Sequence, residues 1–224
     1  MIAALYEDDE ILVLDKPAGL ASQPGEGVRA SVVEAVQRDF GFRPFLVHRL
    51  DKETAGCLVV ARSSPAASKW SRLLESRELR KTYRAIVAGG PALGDGDSGR
   101  IEESVRGPRG DRPAITEWRL LSSFGDYAYL ELVLGTGRMH QIRIHLASRG
   151  MPILGDDRHG DFALNKRLRA ELGLRRLLLV AWSLELRGAL LARASVPAHF
   201  SDFLSRFEDA PPADAPAAEH GGGR

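Results

Sequence analysis

Apolar residues in this chain come in short runs, each cut off by glycine, proline or a charged cluster. The longest, 177–182, falls far below the roughly 20 residues that a membrane-spanning helix needs. Runs of this size are strand-sized, and 10–14, 56–61, 81–87, 115–121, 127–134 and 177–186 read as strands. Between them lie helical signals. Ser31 is placed to cap a helix over 32–40 that Gly41 ends, and Ser64 before Pro65 opens another reaching about Ser76. A third helix is read over 136–149 and a fourth over 198–208. Residues 94–113, rich in Gly, Asp, Arg and Pro, read as a loop or hairpin tip. Strands and helices do not strictly alternate, which predicts an α+β domain on a largely antiparallel mixed sheet with flanking helices.

The chain has 224 residues, 44% of them hydrophobic, which suits one domain with a real core over 1–208. Residues 209–224 are mostly Pro, Ala, Asp and Gly and are expected to form a disordered tail. The acidic start shows no signal-peptide pattern, and the single cysteine, Cys57, allows no internal disulfide. A cytoplasmic protein with no membrane contact is the expectation, with monomer as the default. Net charge is only +1, but the basic residues are unevenly spread. Arg62, Lys69, Arg72, Arg77, Arg80, Lys81 and Arg84 face only Glu75 and Glu78 over 61–84. Such asymmetry can hide a basic groove inside a neutral total.

Three segments can carry chemistry. His48-Arg49-Leu50-Asp51-Lys52-Glu53-Thr54-Ala55-Gly56 sets a carboxylate in a loop between apolar runs, flanked by cations that keep it ionised. The bland alternative is that Asp51 merely caps a turn. Gly137-Arg138-Met139-His140-Gln141-Ile142-Arg143 leads into Ile144-His145-Leu146. On a helix this puts Met139, Ile142 and Leu146 in an apolar stripe, with Arg138, Gln141 and His145 on another face. Arg143 borders the stripe, where a part-buried guanidinium needs an anionic partner. Lys81-Thr82-Tyr83-Arg84-Ala85 sets a tyrosine in a basic strand. His140 and His145 are five apart, the wrong spacing for a helical zinc pair, and no phosphate-binding glycine loop or nucleophile elbow is present.

Together these segments resemble the RluA family of RNA pseudouridine synthases. The pattern His-Arg-Leu-Asp-x-x-Thr-Ser-Gly is matched from His48 to Gly56, Lys-x-Tyr-x-Ala at Lys81, Tyr83 and Ala85, and Gly-Arg-x-His-Gln-Ile-Arg-x-His-Leu from Gly137 to Leu146. Lys16-Pro17-Ala18-Gly19-Leu20 and the Gly155-Asp156 pair fall in the expected order. The chain departs from the pattern at Ala55 (Ser in the family), at His159-Gly160 (commonly Tyr-Gly) and at Val180 (commonly His). The resemblance implies a single catalytic domain with a central cleft. It implies isomerisation of uridine in a structured tRNA or rRNA stem-loop, without cofactor or metal. It makes Asp51 the nucleophile or base, Arg143 its ion-pair partner, and Tyr83 the residue that stacks on the flipped base and helps remove the C5 proton. Arg49, Arg138, His140 and Gln141 are expected to meet RNA, and His48 to brace the structure. Some relatives carry a small N-terminal RNA-binding module; here the domain itself is expected to hold the RNA. A non-catalytic RNA-binding protein on the same fold and a glycoside-type hydrolase are the rival readings; the latter ordinarily needs a second carboxylate or a metal.

Overall fold

The computed structural model describes residues 1–89, 97–107 and 110–214. Its centre is built from strands buried along nearly their whole length. β2 (Ile11–Lys16) and β4 (Ala55–Ala61) carry almost continuous apolar sequence because both of their faces are covered. Around them lie β1 (Ala3–Glu7), β3 (Phe45–Leu46), β5 (Leu79–Ala88), β6 (Ser98–Gly107), β7 (Gly110–Phe124), β8 (Tyr127–Leu134), β9 (Leu179–Leu186) and β10 (Ala189–Arg193). Among the described residues these strands form one sheet in the order β1-β2-β4-β9-β5-β8-β7-β6, with β10 on β9 and β3 on β4. The β4–β9 pair is parallel and the other pairs are antiparallel. This is the expected α+β class with a largely antiparallel mixed sheet.

Period-2 alternation divides the core. Leu12 and Leu14 of β2 join Leu58, Val60, Ala85 and Leu130 in a cluster covered by α1 (Val32–Phe40) and α3 (Gln141–Ser148). Ile11 and Val13 point the other way, toward Trp70 of α2 (Ser64–Glu75). A further cluster joins Ile86, Tyr129 and Val180 to Phe200 and Phe203 of α5 (Ala198–Leu204), with Leu168 of α4 (Phe162–Leu172). Helix α1 has the expected bounds because its ends are locally encoded. Ser31 and Glu34 form a reciprocal capping box, and Gly41 closes the helix at φ 77°.

The structure corrects the sequence reading in several places. The helix expected over 136–149 begins only at Gln141, and residues 135–140 form a loop that ends with His140 at φ 54°. Met139 is therefore exposed rather than part of an apolar stripe. The described part of 94–113 is a long hairpin, β6 against β7, anchored by the buried Ile101 and Val105. Two apolar anchors four residues apart leave no visible alternation in so charged a stretch. Residues 94–96 and 108–109 lie outside the described residues. The last helix stops at Leu204 instead of Glu208. Helix α4, unread in the sequence, has Leu168 as its one fully buried residue, so its apolar signal is weak, although Asp161 and Gly173 mark its ends. The segment 209–214 is not idle, since Ala210 and Ala213 pack on the third cluster. The Ala213 carbonyl accepts from the Tyr129 hydroxyl at 2.6 Å and from Arg84 at 3.1 Å. Composition cannot reveal a backbone acceptor of that kind. Residues 215–224 lie outside the described residues.

Candidate active site

The loop carrying Asp51 is held through its own backbone groups. The Ser22 hydroxyl donates to the Leu50 carbonyl at 2.7 Å and accepts from the Leu50 amide at 3.1 Å. The Lys52 carbonyl accepts from Gly19 N–H at 2.8 Å and from Lys16 Nζ at 3.1 Å. Lys16 is fully buried, and its ammonium also donates to the carbonyls of Pro17 and Leu20. Burial lowers that ammonium to about 8, opposed by Glu53 and Asp51. The turn closes with Thr54 N–H donating to the Asp51 carbonyl at 3.1 Å. The early Lys-Pro-Ala-Gly-Leu segment is thus a template on which residues 50–52 hang. His48 braces the same loop, its Nε2 accepting from the Val59 amide at 3.2 Å.

The Asp51 carboxylate, 25% exposed, receives Arg143 Nη1 on Oδ2 at 3.3 Å. Arg143, 5% exposed, is itself gripped through two parallel bonds: Nε to Asp156 Oδ2 at 2.7 Å and Nη2 to Asp156 Oδ1 at 2.6 Å. Such a fork is the strong, geometrically specific form of an arginine–carboxylate pair. Asp156 also accepts the amides of Arg158 and His159, each at 2.9 Å. Desolvation works against the Asp156 anion, but Arg143 and these amides outweigh it, and the carboxyl stays below its usual range. Desolvation likewise opposes the Arg143 cation, and Asp156 followed by Asp51 raises it in spite of that. Asp156 is the site residue that sequence reasoning missed: in the sequence it stands only as half of a Gly-Asp pair, with no sign of its arginine partner.

Asp51 lies in a cleft of about 1070 Å³ that also takes in Tyr83, Arg143 and His140. Alternation along β5 sends Lys81 and Tyr83 into this cleft and Thr82 and Arg84 toward a smaller hollow at the opposite face. Burial, then the charges of Asp51 and Cys57, pushes the Tyr83 phenol well above its ordinary value, so it stays protonated at neutral pH. Burial lowers the half-buried Lys81 ammonium to about 8. The basic stretch over 61–84 therefore divides. Arg77, Arg80 and Lys81 line the cleft, whereas Arg62 pairs with Glu7 and Lys69 with Glu10.

Arg49 and Arg138 are exposed on the cleft lining. Gln141 is not available as expected. It is 2% exposed, its amide donates to the Ile115 carbonyl and Thr116, and its oxygen accepts from Thr136 and the Arg138 amide. Every position of the amide is occupied, so Gln141 braces α3 against β7. His145, expected on a polar face, is fully buried between Thr116 and the Glu103 carbonyl. Among the described residues no group of three or more His, Cys, Asp or Glu is arranged to hold a metal ion.

The family model for RNA pseudouridylate synthase matches residues 10–148. The chain belongs to the RNA pseudouridylate synthase family. An uncharacterized RNA pseudouridine synthase of Chloroflexus aurantiacus is 40% identical over 164 residues, 65% of this chain and 51% of that protein. The ribosomal large subunit pseudouridine synthase D of Xanthomonas campestris is 40% identical over 168 residues, 70% and 51% of the two chains. Relatives of this kind place the chain with the RluA group of pseudouridylate synthases. The chain spans about half the length of the first curated relatives it matches. Among solved structures, human RNA pseudouridylate synthase domain containing 4 superposes with a TM-score of 0.76 at 28% identity, covering 92% of this chain and 94% of that one. The likeness to that structure thus extends beyond the matched segment.

Proposed function

We propose that this chain isomerises uridine in RNA to pseudouridine, with Asp51 as the carboxylate that acts on the ribose. The observation that carries the reading is the Asp51–Arg143–Asp156 arrangement in a basic cleft beside Tyr83. Both Arg143 and its anchor Asp156 are buried, so the reacting carboxylate is held in place by a rigid group rather than by water. In the reaction the N1 glycosidic bond breaks and the uracil turns. C5 then joins C1′ and loses its proton, and N1 ends with one. Atoms and oxidation state are conserved, so the chemistry itself calls for no cofactor.

The target base must leave its stack, at a cost of a few kcal/mol. Arg49, Lys52, Arg77, Arg80, Arg138 and Arg158 line the cleft and offer compensating phosphate contacts. Tyr83 provides a face for the flipped base. Its protonated phenol favours stacking and hydrogen-bond donation over service as the base that takes the C5 proton. Arg49 and Arg138 are assigned to RNA, His140 to the Asp51 side of the cleft, and Gln141 to bracing. Ribosomal RNA is the substrate class that the names of the relatives support. The acting unit in this reading is a monomer in the cytoplasm.

The test uses the purified chain and transcribed ribosomal RNA. Carbodiimide labelling detects pseudouridine although the mass is unchanged. The wild type is expected to create labelled sites, and Asp51→Asn to create none while keeping its RNA affinity and melting temperature. Free uracil in the supernatant would support the hydrolase instead. Full turnover by Asp51→Asn would remove Asp51 from the chemistry.

A further inference from the structure

Asp51 has a second neighbour. Nε2 of His140 stands 3.8 Å from Oδ2, the same oxygen that Arg143 holds. On its other side, Nδ1 of His140 lies 3.0 Å from Nε2 of His159, with the rings edge to face and their centroids 5.1 Å apart. His140 is in the left-handed backbone region, unfavourable for a residue with a Cβ, and its side chain is only 15% exposed. The amide of His159 is fastened to Asp156 Oδ1 at 2.9 Å. Asp156 thus reaches Asp51 by two routes, through the Arg143 guanidinium and through His159 and His140.

The order of the groups selects the tautomers. A lone pair on His140 Nε2 would face the Asp51 anion and be repelled, so the proton belongs on Nε2. His140 Nδ1 is then an acceptor, and His159 must supply the hydrogen from its Nε2. We propose that His159 is a positioning residue for Asp51: through its ring-to-ring hydrogen bond it locks the tautomer and rotation of His140 that present Nε2–H to Oδ2. Both polar side chains then meet the carboxylate at Oδ2, and Oδ1 is presented to the ribose. The proposal rests on the reading of Asp51 as the reacting carboxylate.

Charged groups face the pair from three sides. Asp51 of the 47–54 loop and Asp156 favour an imidazolium, with Asp157 beside Arg143 nearby. Arg143 of α3 and Arg158 disfavour it at both rings and His159 disfavours it at His140, as does burial, which is the largest cause at both rings. The rings are held below the usual histidine range, so the pair is neutral near pH 7. In acid, a second proton would place N–H against N–H and break the link.

Two measurements on the full chain test this. Ring nitrogen shifts by NMR, taken without RNA at about pH 7.5, are expected to show His140 protonated on Nε2 with Nδ1 as an acceptor. In His159→Phe the two tautomers of His140 are expected to mix. Single-turnover rates against pH, on the RNA that the wild type modifies, form the second arm. His159→Phe is expected to slow the step about tenfold with RNA affinity unchanged. His159→Gln, which donates an N–H without titrating, should recover most of the rate and flatten the acid limb. A proton on His140 Nδ1, or a His159→Phe enzyme with the wild-type rate and pH profile, overturns the proposal. If Asp51→Asn keeps turnover while the Nε2–H tautomer is found, the carboxylate reading has failed and the geometry of the pair has not.

Discussion

At the scale of single residues, Arg143 holds more than Asp51. Its fork is committed to Asp156, which is 1% exposed, and Asp51 takes the remaining nitrogen. Removing the guanidinium leaves a buried carboxylate unpaired, so Arg143→Leu is expected to cost about 3–5 kcal/mol of stability as well as activity. Urea unfolding checks it, and a variant within about 0.5 kcal/mol of wild type would contradict the buried pair. Two departures from the family pattern are explained together. Ala55 and Val180 are register partners in the parallel β4–β9 pair and sit in the same buried apolar cluster, so both positions are apolar together.

At the scale of elements, the junction of β4 with β9 decides where the loop carrying Asp51 ends. The two strands pair only at Ala55–Val180 and Gly56–Ala181. Gly56 has φ 108°, and a Cβ there would stand 2.2 Å from the Ala181 carbonyl oxygen. Both the conformation and the approach require glycine, which gives the last position of the Asp51 motif a physical reason. Gly56→Ala is expected to destabilise the fold by about 3 kcal/mol or more, as backbone strain adds to overpacking. It should also lower turnover by shifting the loop five residues upstream. A thermal melt and a single-turnover assay check the two effects, and an unchanged melt would show that the junction can open freely. Other elements divide by how local their signals are. Helix α1 was legible because Ser31, Glu34 and Gly41 encode it within a few residues. The delayed start of α3 was not, because it depends on Gln141 bonding to β7, far away in sequence.

At the scale of the whole molecule, burial of histidine makes stability depend on pH. His48, His140, His145, His159 and His199 are all lowered, with burial as the largest cause at each and Lys81 adding to it at His48. Between their folded values and the unfolded value of about 6.5, the unfolded chain binds more protons than the folded one. Stability is therefore fully present above that pH and is lost as pH falls below it, with the Asp156 pair lost further into acid. The urea midpoint is expected to fall from pH 7 to pH 5, and His48→Gln should weaken that dependence; a flat profile would contradict the buried neutral rings. The sequence by itself determined the strand-rich α+β class, the place of Asp51 in a loop between apolar runs, and the family motifs. Each of these is a matter of neighbouring residues, periodicity or order along the chain. Only the tertiary structure decided that Asp156 anchors Arg143, that Gln141 braces instead of binding, that half of the basic stretch turns away from the cleft, and that His159 stands behind His140. These depend on which side chains from distant segments meet in one buried place, and local pattern carries no record of the partner across the fold.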